Sequence, residues 1–282
     1  MNLTKQEQEA YEGKFGPAME WGMRFLVDLG DALGAERLLD ISSAAIGWAP
    51  RFKDLLSPEV FSDILSKGLR VPTYGLEIGV ERQYWEDLGI PKQEVEDQKS
   101  MDQRAKDIGL SLLSTCTPYT VGYLPTRGSH CAVIENSLIV FVNSVLGART
   151  LRHSSHSVIA SAITGKSPAA NFHLEERRRG QILIEVDADL EDVTDYDLLG
   201  YYVGQQVGID VPVFVGHKSP RLEDLKAVCS AISTSGGVGL FHMVGATPEA
   251  PTREAAFGNE KPKDVVNVSR RELDETRNSL CT

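Results

Sequence analysis

The chain has 282 residues, enough to bury a sizeable core in one large domain or two closely joined ones. Its net charge of −11 argues against a nucleic-acid surface, because phosphate contacts need clustered Lys and Arg, and Arg177-Arg178-Arg179 is too short a cluster to change that. A small anionic substrate remains compatible, since a few buried arginines bind one whatever the net charge. No apolar run approaches the roughly 20 residues that a membrane helix requires, and the polar start Met1-Asn2-Leu3-Thr4-Lys5-Gln6-Glu7 does not read as a signal peptide. Neither a nucleic-acid nor a membrane partner is expected.

Thr4-Lys5-Gln6-Glu7 has the pattern of a capping box and predicts a first helix. Pro17 opens a second, carrying Met19, Phe25, Leu26, Leu29 and Leu33 before Gly34. Leu38 to Ser42 reads as a short buried strand. Ser57-Pro58 starts a helix that ends at Gly68, Leu69 to Tyr74 is strand-like, and Pro91 to Ile108 is a charged, mostly solvent-facing helix. From Ser111 the chain becomes apolar and glycine-punctuated: a strand to Thr115, the loop Cys116-Thr117-Pro118-Tyr119, then a helix from Cys131 to Leu146 closed by Gly147. A helix from Ser155 to Ile163 closes at Gly165. Gln181 to Val186 is apolar without alternation through Ile182-Leu183-Ile184, as in a strand covered on both faces. Helix Asp195 to Val207, strand Val211 to Val215, helix Leu222 to Ile232 and strands Val238 to Val244 and Val265 to Val268 follow. Ser269-Arg270-Arg271-Glu272 then caps a last helix through Leu273 to Leu280. Interleaved helices and strands predict an α/β fold in several layers with largely parallel sheets. The change of character near residue 110 suggests a subdivision into 1–110 and 111–282.

Four cysteines stand apart, at 116, 131, 229 and 281, with no CxxC. That is no disulfide framework and suits a reduced, cytoplasmic setting. It also argues against a metal or cluster site built from this chain alone, since clusters take three or four thiolates. Cys116 sits where a strand gives way to a loop, the edge at which α/β proteins bind ligands; its alternative role is a buried thiol packed as a small hydrophobe. Cys131, Cys229 and Cys281 read as structural. On the apolar helix from Cys131, the polar residues Glu135, Asn136 and Asn143 must be paired or face a site, because an unpaired buried polar group costs about 1–3 kcal/mol. Arg149, just after Gly147, could grip a carboxylate or phosphate in bidentate fashion. His153 and His156 read as a solvated loop and not a metal pair.

Thr115-Cys116-Thr117-Pro118-Tyr119, Phe141-Val142-Asn143-Ser144-Val145-Leu146-Gly147-Ala148-Arg149-Thr150 and Ala162-Ile163-Thr164-Gly165 together resemble the aconitase X large subunit. Leu199-Gly200-Tyr201-Tyr202-Val203-Gly204, Gly239-Leu240-Phe241-His242 and Gly245-Ala246-Thr247-Pro248-Glu249-Ala250 extend the resemblance nearly end to end. It implies an aconitase-like α/β large part working with a small swivelling domain, and dehydration of a small hydroxy acid such as mevalonate 5-phosphate or cis-3-hydroxy-L-proline. It also implies an iron–sulfur cluster. By resemblance Cys116 is a cluster ligand, and Tyr119, Asn143, Ser144, Arg149 and Thr150 line the substrate pocket, with Glu135 added from its place on the apolar helix. A cluster iron would act as a Lewis acid on the leaving hydroxyl while a base removes the proton next to the carboxylate.

The chain departs from the family pattern at three places. Ser43-Ala44-Ala45 stands for Ser-Ala-His, Leu151-Arg152-His153-Ser154 for Asn-Arg-Glu-Gly or Asn-Arg-Tyr-Gly, and Glu176-Arg177-Arg178 for Glu-Asn-Arg. Family members also continue into a C-terminal segment that supplies the remaining cluster cysteines, and neither that segment nor the swivel domain is expected within residues 1–282. Three readings follow. A partner chain supplies the missing part in a hetero-oligomer; or the chain is a degenerate, non-catalytic paralogue; or its pocket serves another substrate without a cluster. Retained Cys116 and Arg149 keep the hydro-lyase ahead.

Overall fold

The computed structural model describes residues 1–48, 55–76, 79–81, 83–258 and 260–281. The first elements are α1 (Lys5–Tyr11), α2 (Pro17–Ala32), β1 (Leu38–Asp40), β2 (Ala44–Ile46), α3 (Pro58–Lys67), β3 (Thr73–Gly75), α4 (Lys92–Asp107) and β4 (Ser111–Leu112). Then come β5 (Ala132–Val133), α5 (Asn136–Val140), a π-helical turn (Phe141–Val145), α6 (Ser155–Thr164), β6 (Lys166–Pro168) and β7 (Ile182–Val186). The chain finishes with α7 (Val193–Val207), β8 (Pro212–Val215), α8 (Leu222–Ser235), β9 (His242–Met243), α9 (Arg253–Phe257), β10 (Asp264–Val268) and α10 (Arg270–Leu280).

These elements gather into two compact units. The first comprises Met1–Tyr123, Ser129–Ile134 and His153–Ala170; the second comprises Leu124–Gly128, Glu135–Arg152 and Asn171–Thr282. The chain therefore does not divide at residue 110. Change of composition marks where the backbone enters apolar sheet and helix, whereas the units are defined by which segments pack together.

The first unit holds an all-parallel sheet of order β4-β3-β2-β5 and the antiparallel pair β1–β6. Thr4 and Glu7 cap α1 reciprocally, as the pattern predicts. Leu26 and Met23 of α2 pack with Ala10, Leu38 and Ala160 into one apolar cluster. The segment 38–42 is only partly strand, because Leu38–Asp40 leaves to pair with β6 while the central strand is Ala44–Ile46.

The second unit holds another all-parallel sheet, β10-β7-β8-β9, with Ile182–Ile184 buried inside it as their uninterrupted apolar run requires. Helices α7 and α8 cross with backbone nearly touching backbone. A Cβ at Gly200 would meet the Val228 carbonyl at 3.0 Å, and one at Gly204 the Ile232 carbonyl at 2.9 Å. Glycines four apart lie on one helix face, so this spacing allows the approach. The strand expected over Val238 to Val244 shrinks to β9, because the preceding glycine-rich segment packs as loop, with the Gly237 amide bonded to the Gly208 carbonyl.

The helix expected from Cys131 to Leu146 is corrected most. Ala132-Val133 is a strand beside β2, and at Glu135 the backbone turns through φ 86°, a left-handed conformation that interrupts any helix. The helix that does form begins at Asn136 and widens into π geometry at Phe141. No helix among the described residues is long and apolar enough to cross a membrane.

Buried Asp195 ties α10 to the start of α7. Its carboxylate accepts from Arg270 at 2.8 and 3.0 Å, from Arg277 at 3.3 Å and from the Glu191 amide at 3.0 Å. The Arg270 hydrogen bond holds its carboxyl below the usual range. The stabilisation is therefore complete above the ordinary carboxylate pKa and is lost as pH falls through the lower folded value. Asp195→Asn should lower stability at neutral pH by about 1–3 kcal/mol and flatten the acid limb of the stability profile. Urea unfolding at neutral and acidic pH checks this, and an unchanged neutral midpoint would show that α10 is anchored elsewhere.

Candidate functional site

In the first unit the candidate residues lie beyond β4, at the C-terminal edge of its parallel sheet, where α/β folds expose loops to ligands. The chain passes Ser114 at positive φ and enters a loop tied by its own hydroxyls. Thr115 Oγ1 accepts from the Thr117 amide at 3.1 Å, and the Thr120 hydroxyl donates to the Thr117 carbonyl at 2.6 Å. A 3-10 turn over Pro118–Thr120 buries Tyr119 and leaves Cys116 exposed. The thiol is thus presented and not packed as a small hydrophobe. Cys131 and Cys229 are buried, whereas Cys281 is exposed at the end of α10. Among the described residues no group of three His, Cys, Asp or Glu side chains could hold a metal ion. Among the described residues the donors do not fit a cluster bound by them alone.

Sequence reasoning missed a second feature of this unit. Tyr123 is buried, its hydroxyl 3.1 Å from Ser43 Oγ and its ring 4.9 Å from that of Tyr74. Burial pushes its phenol well above the usual range. Nothing in the local pattern marks it, since the partners lie 80 residues apart. His153 is also buried, with Nδ1 3.1 Å from Ser157 Oγ and no partner for Nε2 among the described residues. Burial pulls its pKa to about 3, so the solvated-loop expectation fails for this residue: the ring is a neutral core group. His156 lies within α6 and stacks on Phe25.

In the second unit Asn143 forms a buried hub in the π-helical turn, 0% exposed. Its Nδ2 donates to the carbonyls of Thr150 at 3.2 Å and Gly239 at 3.0 Å, and its Oδ1 accepts from the Thr150 amide at 3.0 Å. Arg178 donates from Nη1 to Asn143 Oδ1 at 3.3 Å and from Nη2 to the Asn143 carbonyl at 2.8 Å. The same guanidinium pairs with Glu249 through Nε at 2.9 Å. Arg178 is 2% exposed, so the short basic cluster Arg177-Arg178-Arg179 contains one core residue. Ser144 Oγ accepts from the Phe241 amide at 2.9 Å, and the Thr150 hydroxyl donates to the Leu151 carbonyl.

Asn143, Ser144 and Thr150 therefore come together, but as a frame holding backbone. Glu135 is committed likewise: its carboxylate caps α5, accepting from the Ser137 hydroxyl at 2.6 Å and the Leu138 amide at 2.8 Å. Arg149 differs. Its Nη1 donates to the His173 carbonyl at 3.1 Å while Nη2 pairs with Glu175, an acid 26 residues away, and not with Glu135. Asn143→Ala should remove a hydrogen bond from two carbonyls and one amide, destabilising by about 1–3 kcal/mol for each group that is left unsatisfied out of reach of water. Denaturant melts measure the loss, and a change below about 1 kcal/mol would mean that Asn143 does not hold the frame.

Known proteins resemble this chain along almost its whole length. A family model described as aconitase X first domain matches residues 1–176, and one described as aconitase X second domain matches residues 180–278. The phosphomevalonate dehydratase large subunit of Methanothermobacter thermautotrophicus is 35% identical over 99% of this chain and 70% of its own length. The cis-3-hydroxy-L-proline dehydratase of Pseudomonas aeruginosa is 33% identical over 99% of this chain and 49% of its own length. The crystal structure of Thermococcus kodakaraensis aconitase X in its holo-form superposes with a TM-score of 0.84 at 34% identity, covering 99% of this chain and 69% of that one.

Proposed function

Because this chain belongs to the aconitase X family, we propose that it is the large-subunit part of a hydro-lyase that dehydrates a small anionic hydroxy acid. The substrate is of the mevalonate 5-phosphate or cis-3-hydroxy-L-proline kind. The observation that carries this reading is the match of dehydratases of both kinds to 99% of the chain. Such a reaction breaks a C–H bond beside a carboxylate and a neighbouring C–O bond, forms C=C and releases water. Of the work it requires, Arg149 suits the holding of the anionic group: a planar fork, half-buried, with one arm fixed by the His173 carbonyl. The Asn143, Ser144 and Thr150 frame fixes the loop that carries it.

A small subunit completes the enzyme in this reading, since the phosphomevalonate relatives are named large subunits. The swivel domain belongs to that small subunit, and the complex works in the reducing cytoplasm, where four unbridged cysteines persist. Dehydration is tested by combining the chain with the completing subunit and following by NMR the alkene proton formed from mevalonate 5-phosphate and, for cis-3-hydroxy-L-proline, the loss of the carbinol proton as the enamine product tautomerises to a cyclic imine. Dehydration of one of them is expected, and of neither, in a fully assembled complex, overturns the proposal. Arg149→Lys should retain near-normal melting but weaken substrate binding about 10- to 150-fold, because an ammonium cannot reproduce the planar fork. Early unfolding with normal binding by the folded fraction would remove Arg149 from the anion site.

A specific observation favours a second reading, a non-catalytic paralogue. Where the family pattern has His and Asn, Ala45 and Leu151 stand here at 0% and 2% exposure, absorbed into the core. The same NMR assay separates the two.

We also propose that Cys116 gives one thiolate to an iron–sulfur cluster whose other ligands come from outside residues 1–282. A cluster needs about three or four thiolates. After anaerobic reconstitution the chain alone should therefore carry no stoichiometric iron and sulfide. A stable, stoichiometric cluster on it would refute this arrangement.

A further inference from the structure

We propose that Glu175 is a built-in counter-anion: it occupies the outer arm of the Arg149 guanidinium until an anionic group of the ligand displaces it. The inference rests on Arg149 being the ligand's anion anchor. Of the arginines in the neighbourhood, Arg178 is committed to Glu249, to Asn143 and to the Phe172 carbonyl, and Arg179 to Glu260. Arg149 is held from one side by the His173 carbonyl, which sets the guanidinium plane and leaves Nη2 to Glu175. The two partners differ sharply in burial. The Arg149 side chain is 19% exposed and that of Glu175 is 75% exposed.

Glu175 thus reaches from solvent towards a fixed, half-buried cation, and its short 3-10 turn, Glu175–Arg177, buries no residue of its own. The spot where its carboxylate rests favours a negative charge. The Arg149 hydrogen bond foremost, with the charges of Arg149, Arg178 and Arg179, holds the carboxyl below its usual range. A ligand carboxylate or phosphate would be drawn to the same place by the same groups. An ion pair with so exposed an acid is weak, so its competition reduces ligand affinity only about two- to five-fold. That is enough to disfavour weak anions while yielding to a ligand with further contacts. The alternative is a simple latch, in which the pair fastens the 171–177 turn to Arg149 and has no bearing on ligands.

The two are separated by calorimetric titration of the full chain with inorganic phosphate, and in a parallel arm with acetate to distinguish phosphate from carboxylate preference. Four proteins are compared: the wild type, Glu175→Gln, Glu176→Gln and Glu175→Gln combined with Arg149→Lys. Glu176 is an exposed neighbour, so its variant removes the same charge without touching Arg149. Glu175→Gln should tighten binding of at least one anion about two- to five-fold, Glu176→Gln should not, and adding Arg149→Lys should abolish the gain. The proposal is overturned if Glu175→Gln matches Glu176→Gln, if the gain survives Arg149→Lys, or if no anion binds to Glu175→Gln. Early melting of Glu175→Gln with unchanged anion affinity establishes the latch instead. Turnover by the assembled complex reports separately on the hydro-lyase. Dehydration with no anion gain sinks the counter-anion alone, and an anion gain with no dehydration sinks the hydro-lyase alone.

Discussion

A fully buried side-chain amide sets the terms for the second unit. Asn143 has no access to water, so each of its donors and acceptors must be answered inside the protein. The answers come from Thr150, seven residues on, from Gly239, ninety-six residues on, and from Arg178 between them. Arg178 carries a charge into the same core, which is tolerable because Glu249 and two backbone carbonyls surround it. Remove the amide and the loop after the π turn, the glycine-rich segment before β9 and the buried ion pair all lose a partner together.

The π-helical turn belongs to the same constraint. Its wider winding sends the Leu146 amide to the Phe141 carbonyl and turns Asn143 and Ser144 alike towards backbone that a regular helix would not reach. With those groups satisfied, the chain leaves the helix at Gly147 on a defined course. Arg149 is therefore presented from a rigid frame, with its outer arm on the exposed Glu175. The polar residues that resemble a binding set thus divide by what they bond: Glu135, Asn143, Ser144 and Thr150 hold backbone, whereas Arg149 turns one arm to an exposed carboxylate.

In the first unit the constraint is the parallel sheet itself. Short strands of two or three residues leave the chain to turn at every strand end, and the Cys116 loop is stiffened by threonine hydroxyls and not by ladder bonds. The thiol held on such a loop is open to a partner or ligand. The buried cysteines are not, and burial pushes the Cys229 thiol well above its usual pKa, away from the thiolate that binds metal.

Local sequence determined what depends on neighbours within a turn. The capping boxes at Thr4 and Ser269, the Ser57-Pro58 helix start and the covered run Ile182–Ile184 are legible because the interacting groups lie three or four residues apart or repeat with a strand's burial. The family motifs were legible too, being contiguous. Tertiary structure alone decided that Ala132-Val133 is strand, since two apolar residues fit either period and only pairing with β2 settles them. It decided that Arg178 is core although its neighbours in sequence are surface, that Tyr123 meets Ser43, and that Arg149 meets Glu175 and not Glu135. Each of these joins segments tens of residues apart, where no local propensity acts and the partner is chosen by how the whole unit packs.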